Sequence, residues 1–346
     1  MQQTNSFKKN RVPYLDTLRV IACLMVVLVH SPHQHEGMTS ALSYGIISYL
    51  CSPCIGIFLM VSGALLLPMR LSTKEFISKR LTRIVYPLIS WSIIYILIAL
   101  FLGKITPQIG IMNLVKIPFG CVIGFAHGWY LYLIIGIYLF LPIFNSWIGI
   151  NEKRRCEYFL AFWAITLCYP YLIALVGNVQ TNTLIEFSGY FGYIVLGYYL
   201  HKYPIKLSSF RQWFLLGIAT IILCAILPAI VYFSNIPNYN TYGLIIYNYQ
   251  GIHTVMMCIL MFVLIQNYNF KNKIWENTMH NISVLTFGIY LVNFAILRDV
   301  FAPYFEQNPL NPVELEILIT FTLSFIISYI IIWAINKLPF KKYIIG

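Results

Sequence analysis

Charge is what this chain has least of. Asp, Glu, Lys and Arg make up 10% of its 346 residues, against about 25% in soluble domains. That scarcity excludes an ordinary water-soluble domain. Acidic residues are the rarer kind, 11 against 23 Lys and Arg. No small-residue cleavage site follows the first apolar segment, so it reads as a retained span rather than a signal peptide. There is no internal repeat and no polar stretch long enough for a separate soluble domain. Among eight cysteines, Cys51-Ser-Pro-Cys54 has metal-like spacing, but no second Cys/His pair completes a site. Most of the others lie in apolar stretches, where Cys behaves as a small hydrophobe. No metal or redox cofactor is expected.

What is abundant is apolar surface: 59% of residues are hydrophobic and the mean hydropathy is +0.75. A bilayer core of about 30 Å needs about 20 mostly apolar residues per helix. Ten stretches qualify: 14–31, 45–67, 84–103, 127–147, 156–176, 187–201, 212–234, 251–268, 283–301 and 316–336. The sixth is short. Segment 108–125 holds Pro118, Gly120 and Gly124 and reads as a surface or re-entrant helix. The expected fold is an all-α integral membrane protein of about ten transmembrane helices. One transmembrane domain covers 1–346, with a segment 1–13, a bundle 14–336 and a tail 337–346.

The net charge of +12 would suit a nucleic-acid binder, but its distribution suits a membrane. With a cytoplasmic N-terminus, the inner segments hold Lys8, Lys9, Arg11, Arg70, Lys74, Lys79, Arg80, Arg83, Lys153–Arg155, Lys202, Lys206, Arg211, Lys271, Lys273, Lys337, Lys341 and Lys342. The outer ones hold Lys104, Lys116 and, at a span end, Arg298. Positive charge marks the cytoplasmic side, so both termini are expected there and no nucleic acid is expected as partner. The bilayer itself is the first partner, and a homo-oligomer stays open.

Ionisable groups inside a span are costly and mark function. Arg19 and His30 lie eleven residues apart in the first span. That is roughly 16 Å of helix and about three helical repeats, so both face the same way. Asp16 and Arg19 fall at the inner end, His30 at the outer end, followed by His33, His35 and Glu36. An imidazole beside a carboxylate is a plausible general base; it can also merely satisfy a backbone carbonyl. Arg80 and Arg83, three apart and next to Lys79, share a helix face. Two guanidinium forks there suit phosphate groups; they also suit a simple topogenic cluster. His127-Gly-Trp129-Tyr130 opens the fourth span outside, as a sugar-stacking platform or an interfacial aromatic belt. Tyr290 and Asn293 share a face of the ninth span. Gly189, Gly192 and Gly197 read as close-packing positions between helices.

Leu15-Asp-x-x-Arg19, Arg-x10-His30, Phe58-x-x-x-Ser62-Gly63, Arg80-x-x-Arg83, His127-x-Trp129-Tyr130-Leu131 and Gly288-Ile-Tyr290 follow in this order. In this the chain resembles the acyltransferase 3 family of integral membrane O-acyltransferases, over most of its length. Its first span looks most like the group that O-acetylates enterobacterial common antigen. The resemblance implies transfer of an acyl group, usually acetyl, from cytoplasmic acyl-CoA to a hydroxyl of an envelope glycan or lipid-linked saccharide, in a bacterial inner membrane. It implies a donor-phosphate role for Arg80, Arg83 and Lys79, and a place for Asp16, Arg19 and His30 along the transfer path. Glu36, His127, Trp129, Tyr130, Tyr290 and Asn293 would meet the acceptor. Family members commonly carry His after the ninth-span Tyr, where this chain has Asn293; Asn orients a hydroxyl but is no base at neutral pH. An internal cavity would run from Arg80 and Arg83 to His30. A transporter or flippase for a lipid-linked saccharide is the alternative, as is a non-catalytic export component. Transporters often show repeats and paired broken helices, which are not evident here.

Overall fold

A computed structural model describes residues 11–31, 38–149, 151–176, 189–233, 249–268 and 272–346. Among these residues helix is the sole regular structure. Helix satisfies every backbone group within one segment, which lipid demands.

Helix α1 is Pro13–His30, α2 Met38–Cys51, α3 Pro53–Leu66 and α4 Thr73–Phe101. Helix α5 is Pro107–Lys116, α6 Trp129–Ile148, α7 Glu152–Val176, α8 Phe191–Lys202 and α9 Phe210–Phe233. Then come α10 Ile252–Asn267, α11 Lys273–Ser283, α12 Thr286–Ile296, α13 Ala302–Gln307, α14 Val313–Ile335 and α15 Lys341–Ile344. Five helical stretches are long and apolar enough to cross a bilayer: Pro13–His30, Gly45–Leu66, Thr73–Phe101, Ala126–Ile148 and Val313–Ile335. A sixth is the pair Lys273–Ser283 and Thr286–Gln307, bent by 60°. The other four expected spans coincide with α7 to α10. Of these, α8 and α10 have 12 and 16 residues, about 18 and 24 Å at 1.5 Å per residue. Helix α5 has ten residues and does not cross.

Local chemistry explains several boundaries. Helix α4 starts at Ser72, which accepts from Glu75 N at 3.3 Å while the Glu75 carboxylate accepts from Ser72 N at 3.4 Å. This reciprocal cap occupies otherwise orphaned donors. The amphipathic α11 is capped by Asn272, which accepts from Ile274 N at 2.8 Å. A π-helical turn, Leu297–Phe301, follows α12; such turns recur near functional sites.

Helix α3 is the hub. Eleven of its fourteen residues are buried, so it is wrapped by neighbours on nearly every side. Its Gly63 and the Gly197 of α8 let the two backbones touch. A Cβ on Gly63 would collide with the Ile194 carbonyl, and one on Gly197 with the Met60 backbone. Gly192 packs under Trp163, whereas Gly189 has open space around it. The close-packing reading thus holds for Gly192 and Gly197 and fails for Gly189, which precedes the helix; a Cβ there would meet nothing, and its carbonyl accepts from Trp163 Nε1 at 3.1 Å.

Polar contacts between helix ends mark the two ends of the bundle. At one end, Tyr14 OH and His201 Nδ1 are 2.5 Å apart, Lys202 pairs with Glu152, and Arg11 Nε lies 3.1 Å from Asp16. This is the basic end. At the far end Lys104 Nζ lies 2.7 Å from Asp299.

Candidate active site

Helix α1 carries His30 to the far end. There a small chamber of about 40 Å³ is lined by Val26, Val29, His30, Cys54, Ile55, Phe58, His127, Trp129, Tyr130, Tyr249 and Tyr290. That volume holds two or three waters, not a sugar. Five residues singled out by sequence therefore meet here from three chain regions: His30, His127, Trp129, Tyr130 and Tyr290.

The ring centres of His30 and His127 are 6.2 Å apart, and Phe294 stands 5.4 Å from the one and 4.8 Å from the other. His127 belongs to a short 3-10 turn, Ala126–Gly128, before α6. Its carbonyl accepts from the Tyr290 hydroxyl, which ties that turn to α12. Phe125 packs on the His127 ring at 4.8 Å. Both ring nitrogens of His127 and Nδ1 of His30 are buried without a close, well-aligned hydrogen bond among the described residues, the Leu291 backbone facing His127 and the Asn293 side chain facing His30. Buried polar groups left unpaired cost free energy and are rare. Two such imidazoles facing one chamber are what a site awaiting a polar reactant looks like.

Asn293 lies beside His30. Its amide donates to the carbonyls of Ile289 at 2.9 Å and Tyr290 at 2.8 Å, and its Oδ1 has no partner. The free oxygen can accept from an imidazole N–H or an acceptor hydroxyl. Trp129, about a third exposed, stands at the rim with Tyr190 at 5.8 Å and Tyr249 at 6.4 Å. Those two rings come from segments distant in sequence, so an aromatic rim surrounds the chamber.

Below the chamber runs a column of side chains between it and the basic end. Phe58 packs on Tyr130 at 6.3 Å, and both line the chamber. Arg19 faces Tyr130, Tyr138, Asp16 and Arg80. Tyr138 in turn faces Arg80, Arg83 and Ser62. Tyr130 thus touches the chamber on one side and looks to Arg19 on the other. Arg19 and His30 share a face of α1, as their spacing requires.

At the basic end two cavities meet at Arg80. One, of about 700 Å³, is lined among others by Lys79, Arg80, Arg83, Tyr86, Lys341 and Lys342. The other, of about 760 Å³, is lined among others by Arg70, Arg80, His201 and Lys202. Both are large enough for a nucleotide.

Asp16 sits elsewhere. It accepts from Arg11 Nε at 3.1 Å and Ser283 Oγ at 2.8 Å, and lies 3.1 Å from His280 Nδ1. With these bonds it joins α1 to α11 at the basic end, about four helical turns below His30. Glu36, with His33 and His35, lies outside the described residues. Sequence reasoning missed Phe294, Tyr249, Tyr138, His280 and Ser283. Tyr138 could have been found, because it lies eight residues from Tyr130 on the same helix face. Phe294 and Tyr249 had no signal, since apolar or aromatic residues in a span look alike until packed; His280 and Ser283 are polar, but their meeting with Asp16, more than 260 residues away, is not local.

The acyltransferase domain profile matches residues 12–336. No curated protein and no solved structure matches the chain. The match runs from α1 through α14 and takes in the His30 chamber, the column beneath it and both arginines of the basic cavity, so the chain belongs to the acyltransferase 3 family of membrane acyltransferases.

Proposed function

We propose that this protein is an O-acyltransferase of a bacterial inner membrane. It moves an acyl group, acetyl first of all, from cytoplasmic acyl-CoA to a hydroxyl of an envelope glycan or lipid-linked saccharide. The observation that carries this reading is the pair of buried imidazoles facing one chamber at one end of a polar column, with an arginine-lined cavity at the other. A charged donor cannot cross lipid, so the basic end faces the cytoplasm and holds it. The acceptor approaches the aromatic rim at Trp129.

The chemistry follows from the placement. The acceptor oxygen attacks the thioester carbonyl carbon, and its proton passes to the His30 imidazole. The C–S bond then breaks, and the CoA thiolate takes that proton. Asn293 Oδ1 orients the imidazole or the hydroxyl by hydrogen bonding. Phe58 and Tyr130 stand between the chamber and Arg19, so the donor's arm must pass them. The group that acetylates enterobacterial common antigen supplies the first acceptor to try.

The test is transfer from radiolabelled acetyl-CoA by purified protein to a panel of glycans, with CoA binding followed by calorimetry. Binding together with label on a glycan supports the reading. A protein that binds no CoA, yet moves a lipid-linked saccharide across vesicles, is a flippase instead.

A further inference from the structure

The basic cavity has a wall that the arginine motif does not supply. Segment 341–346 folds back over α4 and α12. Trp91 Nε1 donates to the Ile344 carbonyl at 2.8 Å. Ile345 packs against Gly288, where no side chain intervenes, and Gly346 lies on the Arg83 backbone. This anchored segment brings Lys341 and Lys342 to the cavity that Lys79, Arg80 and Arg83 line.

The electrostatics of that arrangement ask for a ligand. Five cationic side chains line the cavity, and no Asp or Glu side chain is among its lining residues. None of the five forms an ion pair among the described residues. Lys341 Nζ reaches only Asn336 Oδ1, at 3.2 Å, and Lys342 Nζ lies 4.7 Å from the Tyr343 ring centre. Like charges gathered around one cavity repel, and an anion of several charges removes that cost.

Resting on the acyl-CoA reading, we propose that Lys341 and Lys342 hold phosphate of the donor opposite Arg80 and Arg83, so that the segment 341–346 is the second jaw of a phosphate clamp. The clamp takes a nucleotide thioester with phosphates at two separated places. Lys337, which lies over the Trp333 ring and is not among the cavity's lining residues, has no part in it.

The test is calorimetric binding of CoA and of dephospho-CoA, which lacks the ribose phosphate, to full-length protein in detergent. Lys341→Gln with Lys342→Gln should weaken CoA roughly ten- to a hundredfold, at about one tenfold step per lost charge-assisted bond. Arginine at both positions should restore affinity, and Lys337→Gln should leave it unchanged. Trp91→Phe keeps every charge but removes the anchor, and should also weaken CoA severalfold. If the double variant loses affinity for CoA but not for dephospho-CoA, the lysines hold the ribose phosphate. If it loses both, they hold the diphosphate. Unchanged CoA affinity in the double variant overturns the clamp while leaving the acyltransferase reading intact. An equal loss from Lys337→Gln also overturns it, because bulk charge would then be the cause. A wild-type protein that binds no CoA fails both.

Discussion

At the scale of single residues, the proposed reaction gives donor holding and chemistry to different side chains. Arg80 and Arg83 line the basic cavity, while His30 stands some three helical turns beyond Arg19. Charge-assisted bonds contribute roughly 1.5–3 kcal/mol each, and about 1.4 kcal/mol is tenfold. Arg80→Ala with Arg83→Ala should therefore weaken CoA binding by about two orders of magnitude in calorimetry. His30→Ala should hold CoA within a few-fold and abolish acyl transfer. Normal CoA binding by the double variant would leave the arginines a topogenic role only. Asn293→Ala removes one neutral hydrogen-bond partner, so kcat should fall roughly two- to tenfold with donor affinity unchanged; a shift in donor affinity instead would place Asn293 outside the chemistry. Trp129→Ala should raise KM for the acceptor and spare CoA, since the ring stands at the rim and touches neither cavity of the basic end.

At the scale of elements, the contact of α3 with α8 holds the site in register. Helices in lipid approach closely where small residues face each other. Gly63→Ala and Gly197→Ala put a methyl group into opposing backbone, which no rotamer can relieve. Each should cost about 1–3 kcal/mol and lower the thermal midpoint in detergent. Gly136→Ala on α6 meets nothing within 4 Å and should be neutral or slightly stabilising. Were all three equally tolerated, the helices would not pack at the separation described. The same contact matters to chemistry, because α3 carries Phe58 and Ser62, which face Tyr130 and Tyr138 in the column.

At the scale of the whole molecule, orientation in the bilayer decides which end meets acyl-CoA. Cys121 is exposed in the connection between α5 and α6 at the far end. It should react with an impermeant maleimide on spheroplasts, and Cys121→Ala should lose that signal. Burial of the sulfur pushes its thiol up, and the thiolate is the reactive form. Labelling should accordingly be slow near neutral pH and quicken as pH rises. A cysteine in place of the exposed Lys153, in the Cys121→Ala background, should label only after permeabilisation. The reverse pattern would turn the protein over and place the basic cavity outside.

Sequence alone determined the solvent, the element type and which ionisable residues stand out inside the spans. Scarce charge and long apolar runs demand lipid, lipid demands helix, and an Arg or His within such a helix stands out because burial is costly. The α1 spacing also determined that Arg19 and His30 share a face, since helical periodicity is local. Tertiary structure decided what lies between distant segments. It brought His127 and Tyr290 to His30, packed Phe58 on Tyr130, and drew Asp16 into bonds with Arg11, His280 and Ser283. It also put a 60° bend at the start of the ninth expected span, and folded segment 341–346 onto the basic cavity. None of these could be read along the chain. Each depends on side-chain shapes meeting across helices, and in an apolar stretch nearly every residue is equally suited to being buried.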